Sequence, residues 1–231
     1  MSRRPTTPDE ELIGAQHEDV ASEISDATRT ERMAAELAMG FRELSGLHRA
    51  VSVFGSARTQ PGSAEHALAH ELGRRLGAAG FAVITGGGPG AMDAANCGAH
   101  DAGAHSVGLS IDLPFERHVC RCVDQGLDFH YFFCRKVMFV RYANAFVVLP
   151  GGYGTLDELF EALCLIQTEK VHSFPVILVG SAYWSGLVDW LRERVAGEHK
   201  IDAGDLDLLH LTDDLDLVVE LVQRAAVQQG V

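Results

Sequence analysis

Long hydrophobic runs are missing from this 231-residue chain. No apolar stretch approaches the ~18–20 residues of a membrane-spanning helix, which excludes a helical membrane protein. Positive charge is scarce, with 19 Lys and Arg against 32 Asp and Glu and a net charge of -13. That balance argues against a general nucleic-acid or anionic-membrane binder. A small anionic ligand fits only where a local cluster of donors overcomes the global field. No apolar segment follows Arg3-Arg4, so no secretory signal is read there. The five cysteines are odd in number and irregularly spaced. They are expected to be free thiols in a reduced cytoplasm, not a disulfide framework. No Walker lysine follows any glycine-rich loop, which argues against a P-loop nucleotidase. Repeats at solenoid periods are also missing.

What is present is ordinary globular material, 47% hydrophobic and 22% charged, enough for one sizeable core. Residues 1–24 are mostly polar and lack periodicity, and are expected to form a disordered tail. Residues 25–48 carry Met33, Leu37, Met39, Phe41 and Leu44 among charges, which predicts an N-terminal helix packed on the main domain or on a second subunit. From 49 to 231 short apolar strands alternate with helices. The strands are expected at Ala50–Phe54, Phe81–Thr85, His105–Ile111, Phe129–Phe133, Ala145–Leu149, Pro175–Val179 and Leu208–Leu211. Glycine-bounded apolar strands alternating with helices predict an α/β fold, a Rossmann-like doubly wound parallel sheet in one domain.

Ligands of such sheets sit beyond the carboxyl ends of the strands. Three turns there are rich in small residues: Gly55 to Arg58, Gly86 to Gly90, and Gly151 to Thr155. Glycine lets backbone N–H groups approach a ligand closely, and a following helix adds positive partial charge at its N-terminus. A phosphate cradle therefore needs no net basic protein. Gly86-Gly87-Gly88-Pro89-Gly90-Ala91 also satisfies the dinucleotide pattern G-x-G-x-x-G/A, with Asp112 as a candidate ribose acid. That pattern normally follows the first strand of its unit, and here it follows the second. An oxidoreductase reading therefore rests on a weak match.

Pro150-Gly151-Gly152-Tyr153-Gly154-Thr155-Leu156-Asp157-Glu158 fits P-G-G-x-G-T-x-x-E, Arg135-Lys136 stands upstream before a helix, and Gly86 to Met92 forms a glycine-rich turn. In order and spacing these pieces resemble the LOG (Lonely Guy) family of cytokinin-activating phosphoribohydrolases, over about Val51 to Trp190. The resemblance implies hydrolysis of the N-glycosidic bond of a nucleoside 5′-monophosphate, giving free base and ribose 5-phosphate. It implies Arg135 and Glu158 as catalytic residues and no cofactor. It further implies ligand contacts from Ser56, Gly86, Gly87, Gly88, Met92, Glu116, Lys136 and the run Gly151, Gly152, Tyr153, Gly154, Thr155, Leu156 and Asp157. The stretch Glu116 to Cys122 departs from the family's sequence, which leaves the preferred base open. Members often carry the label lysine decarboxylase, but no residue pattern here marks a pyridoxal-phosphate lysine. A nucleotide or molybdenum-cofactor carrier on the same fold is the competing reading.

The chemistry agrees with these residue types. Breaking a ribosyl C–N bond passes through an oxocarbenium-like state, which a carboxylate near the sugar stabilises or serves by activating water. Glu158 falls in the first helical turn after the glycine loop. Asp157, its neighbour, points about 100° away on a helix. A guanidinium in a first turn, as at Arg135, is unfavourable beside the helix dipole unless something else requires it. For metals, His118, Cys120 and Cys122 share one side of an extended segment, but no second ligand pair stands nearby, so no zinc site is expected. Cys97, Cys134 and Cys164 are expected in the core. The aromatic run Phe129, Tyr131, Phe132, Phe133, Phe139 and Tyr142 beside Arg135, taken as partly a strand with two apolar faces, predicts a homodimer or larger assembly. The resembling family is dimeric, which points the same way.

Overall fold

The computed structural model describes residues 7–14, 24–112, 120–172 and 174–231. Seven strands form one sheet: β1 (Ala50–Phe54), β2 (Ala82–Thr85), β3 (Ser106–Ile111), β4 (Gln125–Phe129), β5 (Ala145–Val148), β6 (Val176–Val179) and β7 (Leu209–Thr212). Their order is β4-β3-β2-β1-β5-β6-β7, and every neighbouring pair is parallel. The helices are α1 (Pro8–Gly14), α2 (Asp26–Glu43), α3 (Ala64–Ala78), α4 (Ala91–Asp101), α5 (Phe132–Arg141), α6 (Tyr153–Gln167), α7 (Ser181–Trp190) and α8 (Leu215–Gln228). No described helix is long and apolar enough to cross a membrane.

Period-two alternation in buried strands feeds two cores. Val51, Val53 and Val83 face Leu72, Leu76, Ala95 and Val222 of α3, α4 and α8. Phe54, Ile84 and Phe146 face Met138, Phe139, Leu159 and Trp184 of α5, α6 and α7. The doubly wound sheet is therefore covered on both sides, as its near-continuous apolar strands require. Ser63 caps α3 by accepting from the His66 N–H, and Gly80 ends the turn beyond it at φ +83°.

Three expectations are corrected. The strand placed at Phe129–Phe133 is instead β4 at Gln125–Phe129, and Phe132 and Phe133 already lie in α5. An aromatic run satisfies a buried strand and a helix start equally well, so its period misled. In the stretch expected to be disordered, Pro8–Gly14 forms α1, with Leu12 packed on the core. A helix of seven residues is too short to show periodicity in a polar segment. Finally, Cys97 and Cys122 form a disulfide with Cα atoms 4.8 Å apart, and Cys164 is exposed where a core residue was expected. The two bonded cysteines are 25 residues apart in sequence, a proximity that only the fold creates.

Candidate active site

The chain leaves β1 toward β2, β3 and β4 on one side and places β5, β6 and β7 on the other. The crevice at this reversal, beyond the carboxyl ends of β1 and β5, is where parallel sheets bind ligands. A cavity of about 760 Å³ opens there, within the usual range for small-molecule sites. Its walls include the turn after β1, the turn after β2 and the start of α6. The turns are tied together: the Ser56 N–H donates to the Pro150 carbonyl at 3.0 Å, and the Ala91 N–H donates to the Ser56 carbonyl at 3.0 Å.

Gly90 shows why this junction tolerates no side chain. Its φ is +73°, and a Cβ there would fall 2.5 Å from the Ser56 carbonyl oxygen. Beneath the second turn, the Thr85 hydroxyl accepts from the Gly87 N–H at 3.0 Å and donates to Asn96. The Asn96 amide donates in turn to Ser106 Oγ at 2.8 Å. All three side chains are buried, so this satisfied network fixes the glycine turn from below. Met92 lies over the same turn, its Sδ 2.8 Å from where a Cβ on Gly86 would stand.

Gly152 stands at the cap position before α6, which therefore begins without a side-chain cap. Its first N–H groups have no intrahelical acceptor and so present donors and positive partial charge to the cavity that Tyr153, Gly154 and Thr155 line. The Tyr183 hydroxyl donates to the Gly151 carbonyl at 2.7 Å and steadies this loop from α7.

Arg135 of α5 and Glu158 of α6 both line the cavity. The guanidinium lies over the rings of Phe132 and Phe139, at 5.1 and 5.4 Å. Its Nε and the Glu158 Oε2 are buried, and neither finds a hydrogen-bond partner among the described residues. Such groups are costly to leave unpaired, so each is poised for a polar ligand. Burial pushes the Glu158 carboxyl up to about 7 despite the opposing charges of Arg135 and Lys136. Burial likewise lowers Arg135, with Glu158 as the largest opposing charge.

The Glu158 shift has a stability consequence. Its folded value lies above the ordinary 4.5, so the native state holds a proton that the unfolded chain gives up between these values. Stability attributable to this group therefore falls as pH rises from 4.5 to about 7 and stays lost above that. Glu158→Gln removes the cost and is expected to raise Tm by ~2–8 °C at about pH 8, with little change near pH 4.5. Differential scanning calorimetry at both pH values checks this. A lower Tm for the variant at the higher pH contradicts the burial argument.

The amino-terminal region holds α5, and thus Arg135, in place. The Glu36 carboxylate of α2 accepts from the His130 and Tyr131 N–H groups at 3.1 and 3.3 Å, and Asp9 of α1 accepts from the Phe132 N–H at 3.2 Å. Two acids thus cap the helix whose first turn bears the arginine, offsetting the unfavourable position of that cation. Nothing in the sequence tied residues 9 and 36 to Arg135, because the contacts span about a hundred positions.

Of the residues expected at the site, Ser56, Gly86, Gly87, Gly88, Met92, Arg135, Gly151 to Leu156 and Glu158 all line the cavity. Lys136 and Asp157 do not. They pair at 2.9 Å, with Glu161 also 2.9 Å from the Lys136 amine, and line a neighbouring depression that shares Tyr153 and Leu156 with the cavity. Each is the sequence neighbour of a cavity residue, and the 100° helical step turns it away. Glu116 and His118 lie outside the described residues. Asp112, the candidate ribose acid, is exposed at the end of β3 and does not line the cavity. Sequence reasoning missed Phe54, Ser110, Phe132, Phe139 and Tyr183 in the lining. No glycine motif marks those positions.

A parallel sheet with its cavity at the point of reversal, walled by glycine turns and helix N-termini, places the protein in the Rossmann-like α/β class. A family model described as "Possible lysine decarboxylase" matches residues 92–222. A protein of Oryza sativa subsp. japonica named "Probable cytokinin riboside 5'-monophosphate phosphoribohydrolase" is 31% identical over 194 residues, 81% of this chain and 82% of the relative. Another from the same organism, named without the qualifier, is 36% identical over 127 residues, 54% of this chain and 52% of the relative. Among solved structures, the molybdenum cofactor carrier protein of Chlamydomonas reinhardtii superposes with a TM-score of 0.57 at 23% identity, over 78% of this chain and 98% of that one, a likeness of fold. The chain belongs to the LOG family, to which that family model corresponds. The decarboxylase description does not fit the site: pyridoxal phosphate is held by a lysine amine, and no lysine lines the cavity among the described residues.

Proposed function

We propose that the chain hydrolyses the N-glycosidic bond of nucleoside 5′-monophosphates, releasing free base and ribose 5-phosphate. The orphaned, buried Arg135 and Glu158 in one cavity carry this reading. A protein that only carries a ligand has no need of a carboxyl held at about 7 beside a guanidinium. In this reading the N-terminus of α6 and the turn after β1, including Ser56, hold the phosphate. That places the ribose against Glu158. The Glu158 carboxylate stabilises the positive charge developing on the sugar and activates the attacking water, while Arg135 holds a phosphate oxygen or a ribose hydroxyl and keeps the carboxylate oriented. Met92 and the Gly86–Gly88 turn lie where the base would stack. The names of the relatives point to a cytokinin riboside 5′-monophosphate as substrate, and AMP shares its ribose 5-phosphate and purine.

Incubation with a panel of nucleoside monophosphates, followed by chromatography, tests the reading. Free base and ribose 5-phosphate in equal amounts are expected. Tight binding with the nucleotide intact after many hours would overturn it in favour of a carrier.

The same reading includes a homodimer or larger assembly. The strand-alternation argument for it falls with the strand, since Phe129 and Tyr131 are buried within the chain. Its place is taken by a helical surface: Phe133 and Val137 of α5 and Phe160 of α6 are each about 40% exposed, with Tyr153 nearly bare. Apolar side chains one turn apart on adjacent helices of the site are an expected contact for a second copy. Light scattering coupled to size exclusion is expected to give at least twice the chain mass. A one-chain mass with full activity would contradict it.

A further inference from the structure

We propose that Cys97, Cys120 and Cys122 form a three-thiolate site for one zinc-class divalent ion, filled when the Cys97–Cys122 disulfide is reduced. The three sulfur atoms lie within 4.8 Å of one another. A tetrahedral zinc with Zn–S bonds of about 2.3 Å needs sulfurs about 3.8 Å apart, a small relaxation once the S–S bond is open. Asp93, one turn before Cys97 on the same face of α4, accepts from the Cys120 thiol and so supports the cluster from outside it. Three thiols thus converge from a helix and from the chain entering β4, leaving the fourth position of a tetrahedral ion to water.

A second observation points the same way. The Cys122 and Val123 N–H groups both donate to the Cys120 sulfur. Hydrogen bonds of this kind orient a sulfur as a ligand. Cys120 is buried while Cys97 and Cys122 are half-buried, which leaves an entry path. The C-x-C spacing alone gave no sign of a three-thiol site, because the third thiol arrives from α4.

Filling the site takes two balanced steps. A small dithiol reductant gives two electrons and two protons to the Cys97–Cys122 bond, yielding two thiols and the reductant's own disulfide. The ion then displaces one proton from each of the three thiols. Neither step involves the cavity chemistry, so this inference stands apart from the hydrolase reading.

The test uses the fully reduced whole chain under anaerobic conditions, with Co²⁺ as spectroscopic probe and Zn²⁺ as competitor. One Co²⁺ per chain is expected, with a thiolate-to-cobalt charge-transfer band that Zn²⁺ abolishes. Mass spectrometry after alkylation is expected to show Zn²⁺ protecting Cys97, Cys120 and Cys122 together while Cys164 reacts at an unchanged rate. This readout needs no variant and so does not depend on a mutant folding. Cys120→Ser should weaken the band, and Asp93→Ala should lower affinity by ~10–100-fold. Absence of the band, or equal alkylation of the three thiols with and without Zn²⁺, overturns the proposal.

Discussion

Glu158→Gln is expected to lower kcat on AMP by ~10²-fold or more while leaving ligand affinity within a few-fold. The substitution keeps the shape and much of the hydrogen bonding of a side chain that is only 3% exposed. It removes the carboxylate charge that stabilises the oxocarbenium ion in this reading. Losing a single preorganised electrostatic group costs ~10²–10³ in turnover elsewhere, and the effect belongs in kcat because the charge matters only in the transition state. The same variant is expected to be more heat-stable at about pH 8, so a loss of activity through unfolding is separable by Tm. Steady-state kinetics and calorimetry on one preparation check both. Near-normal turnover removes Glu158 from the mechanism.

AMP is expected to be cleaved with kcat/KM at least ~10²-fold above that of adenosine. The donors at the start of α6, uncapped by any side chain, have no partner on an uncharged nucleoside. A hydrogen bond to a charged group contributes ~1.5–3 kcal/mol, so two such bonds correspond to ~10²–10⁴-fold. Remote binding of this kind also aligns the ribose against Glu158, and its loss therefore falls on kcat as well as KM. Parallel assays with the two substrates decide the point. Equal kcat/KM would contradict the phosphate role given to Gly151–Thr155.

Much of the fold was legible because its strands are short, apolar and fenced by glycine. β1, β2, β5 and β6 fall within a residue or two of where their runs of Val, Ile and Phe put them. The site was legible where backbone carries it: the glycine turns announce themselves in sequence, and Arg135 and Glu158 sit at helix starts beside them. Side chains that turn away were harder. Lys136 and Asp157 share the motif yet pair with each other outside the cavity, since a motif records adjacency in sequence and a helix rotates it by 100° per residue. Contacts across long separations were not legible at all. Asp9 and Glu36 cap α5 from an amino-terminal segment whose polar sequence shows no such role. Cys97 meets Cys122 only because α4 packs beside the chain entering β4.

The pH dependence of kcat/KM on AMP, measured in parallel for the native protein and Glu158→Gln, tests the central claim most directly. The Glu158 carboxyl ionises at about 7 in the free protein, and only its charged form can serve the developing cation. The native profile is therefore predicted to rise through about pH 7. The substrate phosphate ionises near pH ~6 in both assays, so it cancels in the comparison. The limb near 7 is expected to vanish in the variant. A native profile flat from about pH 6.5 to 8.5, or a variant that keeps the same limb, would contradict the assignment of Glu158 as the working carboxylate.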